Sequence, residues 1–238
     1  MESVKKIVVQ GVKGGVGNTT VVANIAVALV NLGYRVICID ACKSNDLKLH
    51  FGMGVEHTFG LFKSLSANES WQSTSMKDET DVVVFPFGEM DESSSNSLEN
   101  IDVLDHMLRD IDFEDIPTVI LVDFPHYLDL DVHKPFSQLD AVIRTASPEI
   151  SCVTKIKQMC TEKEDSMLVF NRFLPQQEIQ SELQILLSAG LRSEQYLGCI
   201  LSDEYIHEAL AQNTCAVHLN RYRKCSKDFN QLALKLVA

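Results

Sequence analysis

Residues 11–20 read Gly-Val-Lys-Gly-Gly-Val-Gly-Asn-Thr-Thr, and this run carries most of the chemistry legible in the chain. Ile7, Val8 and Val9 precede it as a buried strand, and from Val21 to Leu32 apolar residues recur at helical spacing up to Gly33. A strand, a glycine loop and a helix start in that order hold phosphate. The glycines let successive backbone N–H groups converge on an anion, and the unpaired amides and dipole of the helix terminus add attraction. The predicted ligand is a nucleotide polyphosphate held by Lys13, Gly14, Gly15, Val16, Gly17, Asn18, Thr19 and Thr20. The strict pattern G-x-x-x-x-G-K-[ST] would require glycine at Val12 and lysine at Asn18. Here a lysine stands ahead of the glycines, at Lys13, and the position inside the loop is neutral.

The remaining candidates follow from where strands end. Arg35 to Ile39 is an apolar strand leading into Asp40, and Val119 to Val122 is one leading into Asp123. Ligands of open parallel sheets bind beyond the carboxyl ends of the strands, so Asp40, Asp123 and Asn171 are expected beside the glycine loop. Thr19 begins the helix where a hydroxyl can join the Mg²⁺ shell of bound ATP or ADP. Mg²⁺ takes few protein oxygens and keeps several waters, so Thr19, Asp123 and, as second carboxylate, Asp40 form the expected metal set. Alone, each aspartate would read as a turn or cap after a strand; beside a phosphate loop the metal reading is the stronger one.

The elements that must position these groups are short strands alternating with helices, which predicts βαβ units and a mainly parallel sheet. Further strands are expected at Val82 to Phe85, Ala141 to Ile143, Met167 to Phe170 and Leu197 to Leu201, with helices near 98–111, 149–160, 176–189, 203–212 and 226–237. Residues 89–97 read as the most mobile loop, and residues 53–81 carry little signal. With 238 residues, 45% of them hydrophobic, and no evident linker, residues 1–238 are expected to form one three-layer α/β domain with seven or eight strands. No run of eighteen apolar residues and no long apolar leader occurs, so a soluble cytosolic protein without direct membrane insertion is expected. Seven scattered cysteines with no Cys-x-x-Cys pair argue against a disulfide framework or structural zinc. The formal charge is −12, with thirteen acidic residues and one basic one in residues 78–115. Arg221, Arg223, Lys224 and Lys227 alone approach a basic face, so the charge argues against DNA as a partner.

The variant loop Lys13-Gly-Gly-Val-Gly-x-Thr-Thr resembles that of the ParA/MinD family of partitioning ATPases, which implies a P-loop NTPase fold. In that family the early lysine reaches a partner subunit's phosphates, so the resemblance makes Lys13 catalytic across a nucleotide-dependent homodimer. It likewise makes Asn171 and Arg172 an adenine-holding pair, since an asparagine amide accepts from the adenine amino group while donating to a ring nitrogen; a turn asparagine is the other reading. The family's second strand usually ends Asp-x-Asp; here Asp40 stands in the catalytic position but Cys42 replaces the second aspartate. A thiol with a pKa of about 8.5 is a poor base for water near neutrality. Residues 36–42, 46–51, 85–88 and 123–125, with the stretch from Gly198 to Val217, further resemble the BcsQ family, ParA/MinD-like accessory proteins of bacterial cellulose synthesis. That resemblance implies association with the cytoplasmic side of the inner-membrane cellulose synthase complex and with a small partner, BcsR. Two functions stay open: a nucleotide-gated scaffold with weak or absent hydrolysis, and an active positioning ATPase working on DNA or membrane.

Overall fold

The structure, a computed structural model, describes residues 4–67, 69–90, 97–111, 116–126, 136, 138–159 and 166–238, with the side chains of 97–101 and 157–159 set aside. Strand β1 (Val4–Gly11) leads through the glycine loop into helix α1 (Asn18–Asn31), then β2 (Arg35–Asp40), a 3₁₀ turn (Leu47–Phe51) and α2 (Leu61–Ser66). The short β3 (Met76–Lys77) and β4 (Val83–Phe85) precede α3 (Ser97–Asp110), β5 (Thr118–Phe124), β6 (Ala141–Ala146) and α4 (Ile150–Met159). The chain closes with β7 (Ser166–Phe173), α5 (Glu178–Ser188), β8 (Tyr196–Leu201), α6 (Tyr205–Ala211), α7 (Ala216–Leu219) and α8 (Lys224–Val237).

The strands form one sheet in the order β3-β4-β2-β5-β1-β6-β7-β8. Every pairing is parallel except that of β3 with β4. Central strands buried on both faces read as unbroken apolar runs, as Val119–Val122 does. Alternate residues then pack against opposite layers. Ile7 and Val9 of β1 face the cluster that contains Val22 and Leu29 of α1 with Phe229 and Leu232 of α8. Val8 faces Leu104 and Leu108 of α3 and Phe62 of α2. Further along that second face, Leu168 and Phe170 pack with Cys152 and Ile156 of α4 and Leu187 of α5.

The single-domain α/β architecture and the eight-stranded, mostly parallel sheet agree with the sequence expectation. In the region that carried little signal lie α2, with six residues, and β3, with two; both are too short to show a period. β7 does not end at Phe170: it continues through Asn171 and Arg172 to Phe173, with its pairing to β8 irregular there and Arg172 at φ 61°. Asp40 and Asp123 lie inside the last turns of pairing rather than after them, opposite one another in the β2–β5 register. Residues 91–96 of the loop expected at 89–97 and the end of the helix expected at 149–160 lie outside the described residues.

Candidate functional site

The loop between β1 and α1 wraps a hollow of about 360 Å³, lined by residues 13–19, Cys42, Asp46, Asp123, His126 and Arg172 among others. Gly17 sits at φ 84° directly before α1, and a Cβ there would clash with the Asn171 amide nitrogen. Only glycine fits, for conformation and for space alike. Gly14 is constrained differently: its Cβ would meet the His126 ring at 3.1 Å. No side chain caps α1 and its first turn holds no acid, so the helix presents bare N–H groups to the hollow.

The predicted residues divide by what they touch. Lys13 stands at the mouth, about one-third exposed, with its Nζ donating to Glu149 Oε2 at 2.6 Å and to Ser151 Oγ at 2.8 Å. Glu149 raises the lysine pKa, and Lys13 lowers that of the glutamate. Asn18 lines the hollow, but its Nδ2 is committed to Val9 O at 2.9 Å and Asp123 Oδ1 at 2.7 Å. Thr19 lines it too and hydrogen-bonds Asp123, whereas Thr20 lies one step into α1, where its carbonyl accepts from Asn24.

Asp123 is fully buried and its Oδ2 has no hydrogen-bond partner. Burial lifts its pKa from 3.8 to about 6, against the stabilising hydrogen bonds from Thr19, Asn18 and Cys42. A lysine at position 18 would have put a cation beside this carboxylate; the amide supplies a hydrogen bond and no charge. Asp40 lies beneath the lining, with Oδ1 accepting from Cys42 N at 2.8 Å and Oδ2 from Leu47 N at 3.2 Å. Its carboxyl is pushed well above the usual range by burial and then by Asp123. The turn role and a place beside Asp123 therefore coexist in Asp40. A divalent cation fits this end of the hollow: a buried carboxylate oxygen without a partner, beside a hydroxyl and a second carboxylate, is relieved by positive charge.

Asn171, nearly fully buried, stands behind the loop rather than in the hollow. Its Nδ2 donates to Val16 O at 2.8 Å, and its Oδ1 is buried without a partner. Here it holds the glycine loop in place, and only its oxygen is available to a base. Arg172 follows at the rim, exposed. Sequence reasoning missed His126, which follows Asp123-Phe-Pro and closes the hollow against Gly14; its proximity to Asp123 in the chain was the available signal.

Comparison with known proteins agrees with this architecture. The chain is 27% identical over 210 residues to the cellulose biosynthesis protein BcsQ of Escherichia coli K12, covering 85% of this chain and 82% of that one. Its fold is similar to that of the septum site-determining protein MinD of Pyrococcus horikoshii, solved complexed with Mg-ADP (TM-score 0.78, 23% identity, 98% and 96% of the two chains). A ParA family ATPase from Chlorobium tepidum shares it as well (TM-score 0.76, 19% identity, 99% and 100%). The family model described as cellulose biosynthesis protein BcsQ matches residues 4–236, so the chain belongs to the BcsQ family.

Proposed function

We propose that this protein is an ATP-binding, nucleotide-gated accessory subunit of the bacterial cellulose synthase machinery, with weak or absent hydrolysis. Membership of the BcsQ family supplies the cellulose context. The observation that carries the rest is the division of charge around the hollow. Lys13 stands at its mouth, where a second subunit would meet it, while the position inside is a neutral Asn18 already committed to Asp123.

In this reading the loop amides of residues 14–17 and the start of α1 hold the phosphates, and Thr19 and Asp123 hold Mg²⁺, with Asp40 as the buried carboxylate behind them. Mg²⁺ supplies charge neutralisation of the phosphates when bound. Losing one electrostatic contact to the transferring phosphoryl group typically costs about 3 kcal/mol, a hundredfold or more in rate. With Asn18 for lysine and Cys42 for the second aspartate, binding is supported more strongly than turnover. Lys13 of one subunit, released from Glu149, contacts the phosphates bound to its twin, so ATP stabilises the dimer alone. Asn171 Oδ1 and Arg172 face the base. The paired surface then docks to a cellulose synthase subunit or a small partner such as BcsR.

The test is the molar mass in solution with and without Mg-ATP, with bound nucleotide quantified in parallel. Wild type is expected to take up adenine nucleotide and double in mass. Lys13→Ala is expected to stay monomeric while still binding nucleotide. Absence of adenine nucleotide uptake in the presence of magnesium would overturn the reading.

A further inference from the structure

We propose that Asp40, Cys42 and Asp123 form a binding site for a thiophilic divalent cation of the zinc or cadmium class, with Cys42 as a sulfur ligand. One ligand atom from each of the three lies within 4.8 Å of the others, with Asp40 and Asp123 buried and Cys42 partly so. An independent feature points to an ion: Asp123 Oδ2 is buried at the C-terminal end of β5 with no hydrogen-bond partner. The β2–β5 register sets Asp40 directly opposite Asp123, which brings two carboxyl groups together in a fully buried position. A divalent ion removes both penalties at once.

The donor chemistry selects the kind of ion. Mg²⁺ is served by oxygens and keeps its waters, whereas a thiolate among the ligands favours zinc and its softer neighbours. Zinc bonds of about 2.0–2.3 Å at tetrahedral angles set ligand atoms about 3.3–3.8 Å apart, so the three side chains close the site by converging about 1 Å. Three protein ligands with a fourth position open to the hollow is the pattern of sites that keep a place for water or substrate. Binding releases the Cys42 thiol proton, and the proton that the buried Asp40 carboxyl holds, to solvent, and leaves a sulfur–metal bond and a carboxylate ligand. The proposal rests on the nucleotide reading only for that fourth ligand, a phosphate oxygen or a water.

The experiment adds Cd²⁺ alone to the nucleotide-free full chain and follows the sulfur-to-metal charge-transfer absorption, with Mg²⁺ alone as control. One equivalent is expected to bind with a charge-transfer band. Cys42→Ser is expected to lose the band, while Cys199→Ser, at a partly exposed thiol elsewhere, keeps it. Asp123→Asn should weaken binding by at least the roughly tenfold that loss of an outer-shell partner already costs. X-ray absorption on zinc-loaded wild type, which needs no variant, should show one sulfur among oxygen neighbours. No band in wild type, an undiminished band in Cys42→Ser, or a shell of several sulfurs overturns the site. Uptake of Mg-ATP without the band refutes the metal site alone. A band without nucleotide uptake leaves the metal site standing and sinks the nucleotide reading instead.

Discussion

Asp123 is the residue on which pH acts most directly. Because burial carries its carboxyl from 3.8 to about 6, the folded chain holds a proton that the unfolded chain has released over that interval. Stability from this group is present in full below the ordinary value and declines as pH rises through about 6; ionised at neutral pH beside Asp40, it destabilises the fold. Asp123→Asn removes the titration. Relative to the variant, wild type should lose stability between pH 4 and pH 7 in calorimetric melts; parallel curves would show that burial is not the cause. Lys13 obeys a different balance. Its pair with Glu149 is largely exposed, and exposed pairs are worth little, so the clasp is easily exchanged for a phosphate. The glutamate's depressed pKa means the pair persists above its ordinary 4.5 and fails as pH falls below it. Glu149→Gln should therefore raise the dimer fraction at limiting ATP in light scattering, by several-fold; an unchanged fraction would mean that Lys13 is not restrained by this contact.

At the scale of elements, the helical layer behind the glycine loop is joined through a buried polar link. Asn24, on the inner face of α1, donates to Thr20 O at 2.9 Å and accepts from Val217 N of α7 at 3.1 Å. Asn24→Ala improves helix propensity slightly but strands the Val217 amide in a dry interface, at a cost of about 1–3 kcal/mol. Denaturant unfolding should show that loss while nucleotide uptake persists; stability equal to wild type would contradict the link. α1 and α8 were legible in the sequence because each carries a sustained apolar face, Val21 to Leu29 in one and Phe229, Leu232, Ala233 and Leu236 in the other. α2 and α7 were not, being six and four residues long. The extension of β7 through Asn171 escaped notice because a left-handed Arg172 inside a strand has no sequence signature.

Across the whole molecule, charge and burial speak to the choice between scaffold and positioning ATPase. The net charge is −12. Of the basic residues near α8, Arg221 lies over the Tyr222 ring at 5.0 Å and Arg223 over the Tyr205 ring at 4.4 Å. The apolar face of α8 packs against α1 and the sheet, and no helix among the described residues is long and apolar enough to cross a membrane. Steady-state ATP turnover is accordingly expected to stay near its basal rate when anionic vesicles or duplex DNA are added, with less than about twofold stimulation. Stimulation to many cycles per minute would favour the positioning ATPase.

The chain's own order of residues determined the phosphate loop, the strand–helix alternation and the carboxylates at strand ends, since glycine freedom, apolar periodicity and the strand-end rule are all local. It did not determine what those groups touch. Lys13 meets Glu149 across 136 positions, Asn18 meets Asp123 across 105, and Asn171 meets Val16 across 155. Those pairings depend on strand order, register and the rotamers that close packing permits. Only the folded sheet sets Asp40 against Asp123 with Cys42 beside them, turns the amide of Asn18 toward a carboxylate, and leaves Asp123 Oδ2 and Asn18 Oδ1 there without a partner.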